Sequence, residues 1–165
     1  MTNTFDDHYS LNYGAVDAPR QLTIVLNLGC TDSRDWFNAH VDALDAAIAA
    51  GRVHAQLVFW NKQKPALANG NVANGYVDYD HPDAARKFVR AVFADQDPLR
   101  AATDPAAYLE QTYNVARFAD ADAAIAATST AVAAAGVQFL PTVIDGDTQY
   151  SEDNLDALPA LSAVL

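Results

Sequence analysis

The stretch Leu22-Thr-Ile-Val-Leu-Asn-Leu-Gly-Cys30-Thr-Asp-Ser33-Arg-Asp-Trp-Phe37 decides the fold. Leu22 to Leu28 is almost entirely apolar or β-branched, the pattern of a central strand covered on both faces. Apolar positions then return at Trp36, Phe37, Val41, Leu44, Ala47 and Ile48, with His40 on the same side. That spacing is one face of a helix. The sole cysteine falls at the turn between them. At a helix N-terminus, unpaired N–H groups and the helix dipole favour a thiolate. Cys30-Thr31-Asp32-Ser33 is thus a one-thiol version of a Cys-x-x-Cys redox motif.

Working outward, residues 1–19 precede the strand. His8 to Tyr13 alternates loosely and predicts an edge strand, with Gly14 and Pro19 marking turns. Downstream, the helix is expected over residues 33–50, and Gly51 is placed to end it. Val53 to Trp60 is rich in Val, Leu, Phe and Trp and predicts a second strand. Strand, helix and strand at this length form a βαβ unit with parallel strands.

From Asn61 to Ala135 no strand is expected. Asn69-Gly70 and Asn74-Gly75 weaken helix over Ala66–Tyr79. Asp80 or His81 before Pro82 is a helix start, and Phe88, Val89, Val92 and Phe93 form an apolar face. Thr103-Asp104-Pro105 opens another helix bearing Tyr108, Leu109 and Tyr113. Asp120 or Asp122 opens an Ala-rich helix that stops at Gly136; alanine is the best helix former. Strand chemistry then returns. Val137–Leu140 and Thr142–Ile144, Asp145-Gly146, and Thr148–Tyr150 predict a β-hairpin. Ser151 can cap a final helix carrying Leu155, Leu158 and Leu161, and Pro159 should kink or split it.

Length and composition bound the function. The chain has 165 residues, half of them apolar, so a single domain with a full core is expected. A net charge of −11 argues against nucleic acid and anionic membranes as partners. No segment approaches the ~18 continuous apolar residues of a membrane span. Met1 to His8 carries neither a basic nor an apolar leader region, and one cysteine suits a reducing compartment. A cytoplasmic location is therefore expected. His8, His40, His54 and His81 are scattered, so no metal site is expected. A nucleotide reading of the strand–Gly29–helix turn fails for want of a Gly-x-Gly-x-x-Gly or a P-loop lysine.

Two motifs together resemble the DsbA-like branch of the thioredoxin superfamily. One is Ala18-Pro19, the strand, and Gly29-Cys30-Thr31-Asp32-Ser33. The other is Gly136-Val137-Gln138-Phe139-Leu140-Pro141-Thr142-Val143-Ile144-Asp145-Gly146. Phe88 to Gln96 is similar to a helix of that family's insertion. The resemblance implies an α/β thioredoxin fold with an all-helical insertion between the βαβ half and the ββα half. The segments are then residues 1–61, 62–135 and 136–165, in one compact unit.

It also implies a cis Pro141 facing the thiol, with Leu140 and Pro141 as a platform on which an extended substrate pairs as an added strand. Cys30 is then the nucleophile and Ser33 its hydrogen-bond partner, through hydroxyl or backbone N–H. Thr31, Asp32 and Trp36 are candidate substrate contacts, although Trp36 also fits the core. Tyr76, Tyr79, Tyr108 and Tyr113 fit packing better than a groove.

The departures from the family pattern are equally specific. Ser33 stands where the second cysteine would resolve a mixed disulfide, and serine cannot. Leu22, Ile24 and Leu26 put no acid beneath the thiol. Phe139 occupies a place where the family often has glycine, which narrows the groove. The expected activity is that of a monothiol thiol–disulfide oxidoreductase or isomerase acting on a protein or peptide disulfide or thiol. It needs no bound cofactor, and glutathione or another low-molecular-weight thiol serves as co-substrate. The alternatives are a non-catalytic thioredoxin-fold binding module and a glutathione-dependent transferase or isomerase.

Overall fold

The computed structural model describes residues 4–163. A five-stranded mixed sheet runs in the order β1-β3-β2-β4-β5. The strands are β1 (Leu11–Tyr13), β2 (Arg20–Leu26), β3 (Val53–Phe59), β4 (Thr142–Asp145) and β5 (Thr148–Ser151). β2 and β3 are parallel, in register from Arg20↔Val53 to Leu26↔Phe59, and the other pairs are antiparallel. The apolar run of β2 takes the centre. Leu22, Ile24, Val25 and Leu26 are at most 1 % exposed, as a strand covered on both faces requires.

Helix α1 (Thr31–Ala49) crosses from β2 to β3. It buries Trp36, Phe37, Val41, Leu44 and Ala47, and Gly51 follows with φ +74°, a conformation that favours glycine. Five α-helices lie between β3 and β4: α2 (Ala68–Asn74), α3 (Pro82–Ala94), α4 (Asp97–Ala101), α5 (Pro105–Tyr113) and α6 (Ala121–Ala134). The α3 face of Phe88, Val89, Val92 and Phe93 is buried. It meets α1 through Phe37 and Phe93, with ring centroids 4.9 Å apart. Arg86 and Arg90 add ion pairs to Asp45 across the same seam.

Several expectations shift. Asp6 caps a 3-10 turn at Asp7–Tyr9, so the first strand begins at Leu11 rather than His8. Residues 137–140 form no strand. Pro141 has no N–H to offer a ladder, and pairing starts at Thr142. The two residues between β4 and β5 are Gly146 and Asp147. The final helix is a 3-10 turn over Glu152–Ala157, closed at its start by a reciprocal Ser151–Asn154 capping box. It ends before Pro159, which disfavours helical geometry in the residue ahead of it. Beyond it, the Pro159 and Ala160 carbonyls accept hydrogen bonds from the buried Arg20 guanidinium, which also pairs with Asp145.

Candidate active site at the thiol turn

β2 ends against a turn whose backbone polar groups are all satisfied. Asn27 is fully buried. Its Oδ1 accepts the Gly29 N–H at 2.8 Å and its backbone carbonyl accepts the Cys30 N–H at 3.1 Å. This is an Asx-type turn, the local geometry asparagine favours. The remaining groups are paired by the insertion. The Leu28 N–H donates to Asn74 Oδ1 at 3.1 Å. Gln96 Nε2 donates to the Leu28 and Cys30 carbonyls at 2.8 and 3.0 Å, and Arg100 Nη1 donates to the Gly29 carbonyl. Asn71, also on α2, accepts from Asn27 Nδ2 at 2.8 Å.

Close approach makes this possible. A methyl group on Gly29 would lie 2.6 Å from Gly70 Cα. Only two glycines allow the turn and α2 to touch backbone to backbone. The Asn69-Gly70 pair that weakens the helix pattern in the sequence is therefore what lets α2 reach the turn.

Cys30 is partly exposed and stands at the N-cap of α1. Its Sγ accepts the Ser33 N–H at 3.4 Å and lies 4.0 Å from the Leu140 carbonyl oxygen. The Leu140–Pro141 bond is cis. Of the two possible donors on Ser33, the backbone N–H faces the sulfur. The hydroxyl is buried and accepts the Asn27 N–H at 3.3 Å, so it serves the end of β2 instead.

Thr31 is half-buried and Asp32 exposed on the first turn of α1, next to the thiol. Trp36 is not placed as a substrate contact. It is 7 % exposed, stacks on His40 at 4.6 Å, and faces Leu155, Leu158 and Leu161. Its apolar area is spent in the core.

Opposite the turn, the loop 136–141 is held more sparingly. Lys62 Nζ donates to the Gln138 carbonyl at 2.7 Å, and Thr142 Oγ1 to the Phe139 carbonyl at 2.6 Å. The Leu140 carbonyl takes no N–H donor among the described residues. Phe139 is 38 % exposed, and Lys62 lies over both its ring and that of Trp60. The Cys30 sulfur thus faces the Leu140 carbonyl, which meets no N–H among the described residues, in a loop whose Phe139 ring is exposed.

Other sequence candidates lie elsewhere. His54 is at the start of β3, the far end of the sheet from Cys30. It lines a cavity of about 870 Å³ with Phe5, Thr23 and Gln56, and no thiol reaches that space. Tyr76 and Tyr113 pack within the insertion, and Tyr79 meets Phe118 there and Tyr9 outside it. Burial, then a hydrogen bond to Glu110, pushes the Tyr76 phenol up to about 12. Burial also raises Tyr79 and Tyr113. Among the described residues no group of His, Cys, Asp and Glu could hold a metal ion, and no helix is long and apolar enough to cross a membrane.

The positioning residues Asn71, Asn74, Gln96 and Arg100 are not singled out by the sequence. Asn74, Gln96 and Arg100 act on backbone groups of the turn, which every residue carries, and Asn71 acts on the Asn27 side chain, so no partner motif exists to find. The one faint signal is the density of amides at Asn69, Asn71 and Asn74 in a stretch without periodicity.

Comparison with known proteins agrees with this architecture. No curated protein matches the sequence. A conserved protein of unknown function from Enterococcus faecalis is 27 % identical and superposes with a TM-score of 0.86, covering 96 % of this chain and 91 % of that one. A putative protein-disulfide isomerase from Pseudomonas syringae shares the fold at 14 % identity and a TM-score of 0.70, over 90 % and 93 % of the two chains. BdbD from Bacillus subtilis does so at 16 % identity and 0.65, over 92 % and 91 %. The fold shared with these structures is a thioredoxin core with a helical insertion. The model of the family described as Thioredoxin matches residues 6–161, which take in both the thiol turn and the cis-proline loop, and the chain belongs to that family.

Proposed function

We propose that the protein is a monothiol thiol–disulfide oxidoreductase or isomerase with Cys30 as nucleophile. The observation that carries this reading is the position of Sγ. It caps α1, accepts the Ser33 N–H, stays partly exposed, and faces the Leu140 carbonyl across 4.0 Å. A helix-start N–H turned toward a partly exposed sulfur is the kind of surrounding in which cysteines react. An extended substrate can donate a backbone N–H to the Leu140 carbonyl, which meets no N–H among the described residues, and so lie beside the sulfur.

The chemistry runs in two exchanges. The Cys30 thiolate attacks one sulfur of a substrate disulfide. A new S–S bond forms to Cys30, the old one breaks, and the departing thiolate takes a proton from solvent. With Ser33 in the second motif position, the chain cannot expel the bound half itself. A low-molecular-weight thiol such as glutathione then attacks, forms a disulfide with the bound half, and frees Cys30. The single cysteine suits a reducing, cytoplasmic setting in which such thiols abound.

Mass spectrometry after incubation with oxidised glutathione tests this. One adduct on Cys30, removed by added glutathione, is expected, together with insulin-disulfide reduction that rises with glutathione. Ser33→Cys should convert the adduct into an intramolecular disulfide and lift the dependence on external thiol. An unreactive Cys30 in both proteins leaves the binding-module reading instead.

A further inference from the structure

We infer that Gln96 and Arg100, from the helical insertion, are positioning residues for the Cys30 thiol, holding the carbonyls of its turn so that the sulfur is presented toward Leu140. This rests on the reading of Cys30 as nucleophile. The Leu28 and Gly29 carbonyls precede α1, where no helical N–H can reach them. The insertion supplies their donors: Gln96 for Leu28, and Arg100 for Gly29. Gln96 also takes the Cys30 carbonyl, so one amide spans the turn.

Two features show that these side chains are not there for stability alone. Gln96 is 2 % exposed, yet its Oε1 is buried with no partner among the described residues. A buried acceptor without a donor costs stability. A methionine would fill the same space without that cost, but it could not hold two carbonyls.

Arg100 is exposed and, in a chain with 21 acidic residues, pairs with no carboxylate among the described residues. The nearby Asp97 is engaged by Arg34. Arg100 directs its charge onto the Gly29 carbonyl, one peptide from the sulfur, and a charged donor makes the stronger hydrogen bond. Its helix, α4, is only five residues long and is too short to persist alone. Asn69 secures it through the Leu99 and Ala102 carbonyls at 2.9 and 2.8 Å.

The test compares Arg100→Met, Arg100→Lys and Gln96→Met with the wild type, full chain throughout. Two rates are measured at one pH: Cys30 with oxidised glutathione, which needs an approach line for a second sulfur, and Cys30 with iodoacetamide, which is small and undemanding. Amide hydrogen exchange over residues 28–33 is followed in parallel. In Arg100→Met the ratio of the two rates should fall about tenfold, the scale expected when a reacting group loses its placement. Exchange over residues 28–33 should quicken while the thermal midpoint stays within about 3 °C. Arg100→Lys should recover most of the ratio, and Gln96→Met should follow Arg100→Met.

An unchanged ratio and unchanged exchange in Arg100→Met and Gln96→Met overturn the inference. So does a ratio that falls only in step with global unfolding. If wild-type Cys30 takes no glutathione at all, the reading of Cys30 fails by itself. The exchange measurement then still decides whether these two side chains hold the turn.

Discussion

The two loops that meet at the sulfur are built on opposite principles. In the turn 28–30 every backbone N–H and C=O has a partner, and four of the six are supplied by side chains from the insertion. In the loop 138–140 the carbonyls of Gln138 and Phe139 are held by one side chain each, and that of Leu140 takes no N–H donor among the described residues. Buried backbone groups must be paired, whereas exposed ones can wait for a partner. The Cys30 sulfur is therefore held by a fixed turn, and the loop facing it is left open. That division suits a site that places one atom accurately and accepts many extended chains.

The strongest way to break the comparison is to pry the fixed side apart. In Gly29→Ala the added methyl would lie 2.6 Å from Gly70 Cα and 2.7 Å from its nitrogen, both backbone. Neither can rotate away, so the turn and α2 must separate. A loss of roughly 1–3 kcal/mol in chemical denaturation is expected, the usual cost of overpacking, together with a slower thiol. A variant as stable as the wild type would mean that the turn does not depend on the insertion.

The open side should behave differently. Phe139→Ala removes an exposed ring, so stability should change by no more than about 0.5 kcal/mol. What should suffer is recognition of a polypeptide disulfide. KM for insulin is expected to rise, while the rate with oxidised glutathione, too small to need the ring, stays put. Equal losses for both substrates would show that Phe139 shapes the turn rather than the platform.

The same division explains what could be read from the sequence. The core announces itself through hydrophobic period. The β2 run, the α1 face and the α3 face all appear where the pattern places them. The thiol's position and the proline loop follow from motifs. Trp36 illustrates the limit, since an aromatic beside the motif fits core and groove alike, and only packing against Leu155 and Leu161 settles it. The short helices α2 and α4 escape because they have no room for a repeating face. α2 carries Asn-Gly steps that signal a break. Of those steps, Gly70 touches the turn at Gly29 and Asn74 accepts the Leu28 N–H, so the elements least legible by pattern are the ones that hold the thiol turn. Ser33 differs again: the residue is plain in the motif, but which of its groups meets the sulfur depends on the Asn27 N–H claiming the hydroxyl.

Alkali offers the mildest probe of the contrast, because it acts on the insertion from within. Tyr76, Tyr79 and Tyr113 all lie there with phenols pushed up by burial, Tyr76 to about 12 against an ordinary 10. In the unfolded chain they lose their protons near pH 10, whereas in the fold they keep them. Above pH 10 the unfolded state therefore binds fewer protons, and stability falls as pH rises toward the folded values, with no effect below pH 10. Tyr13, raised by burial on β1 at the sheet edge, adds to the same trend. The central pairing of β2 with β3 and β4 contains no tyrosine on either strand facing β2, so the insertion should loosen first. Hydrogen exchange between pH 10 and 11 should show protection lost over α3 and α5 before β2. Because the turn at Cys30 borrows its donors from the insertion, its amides should follow α3 and α5 rather than the strand they adjoin.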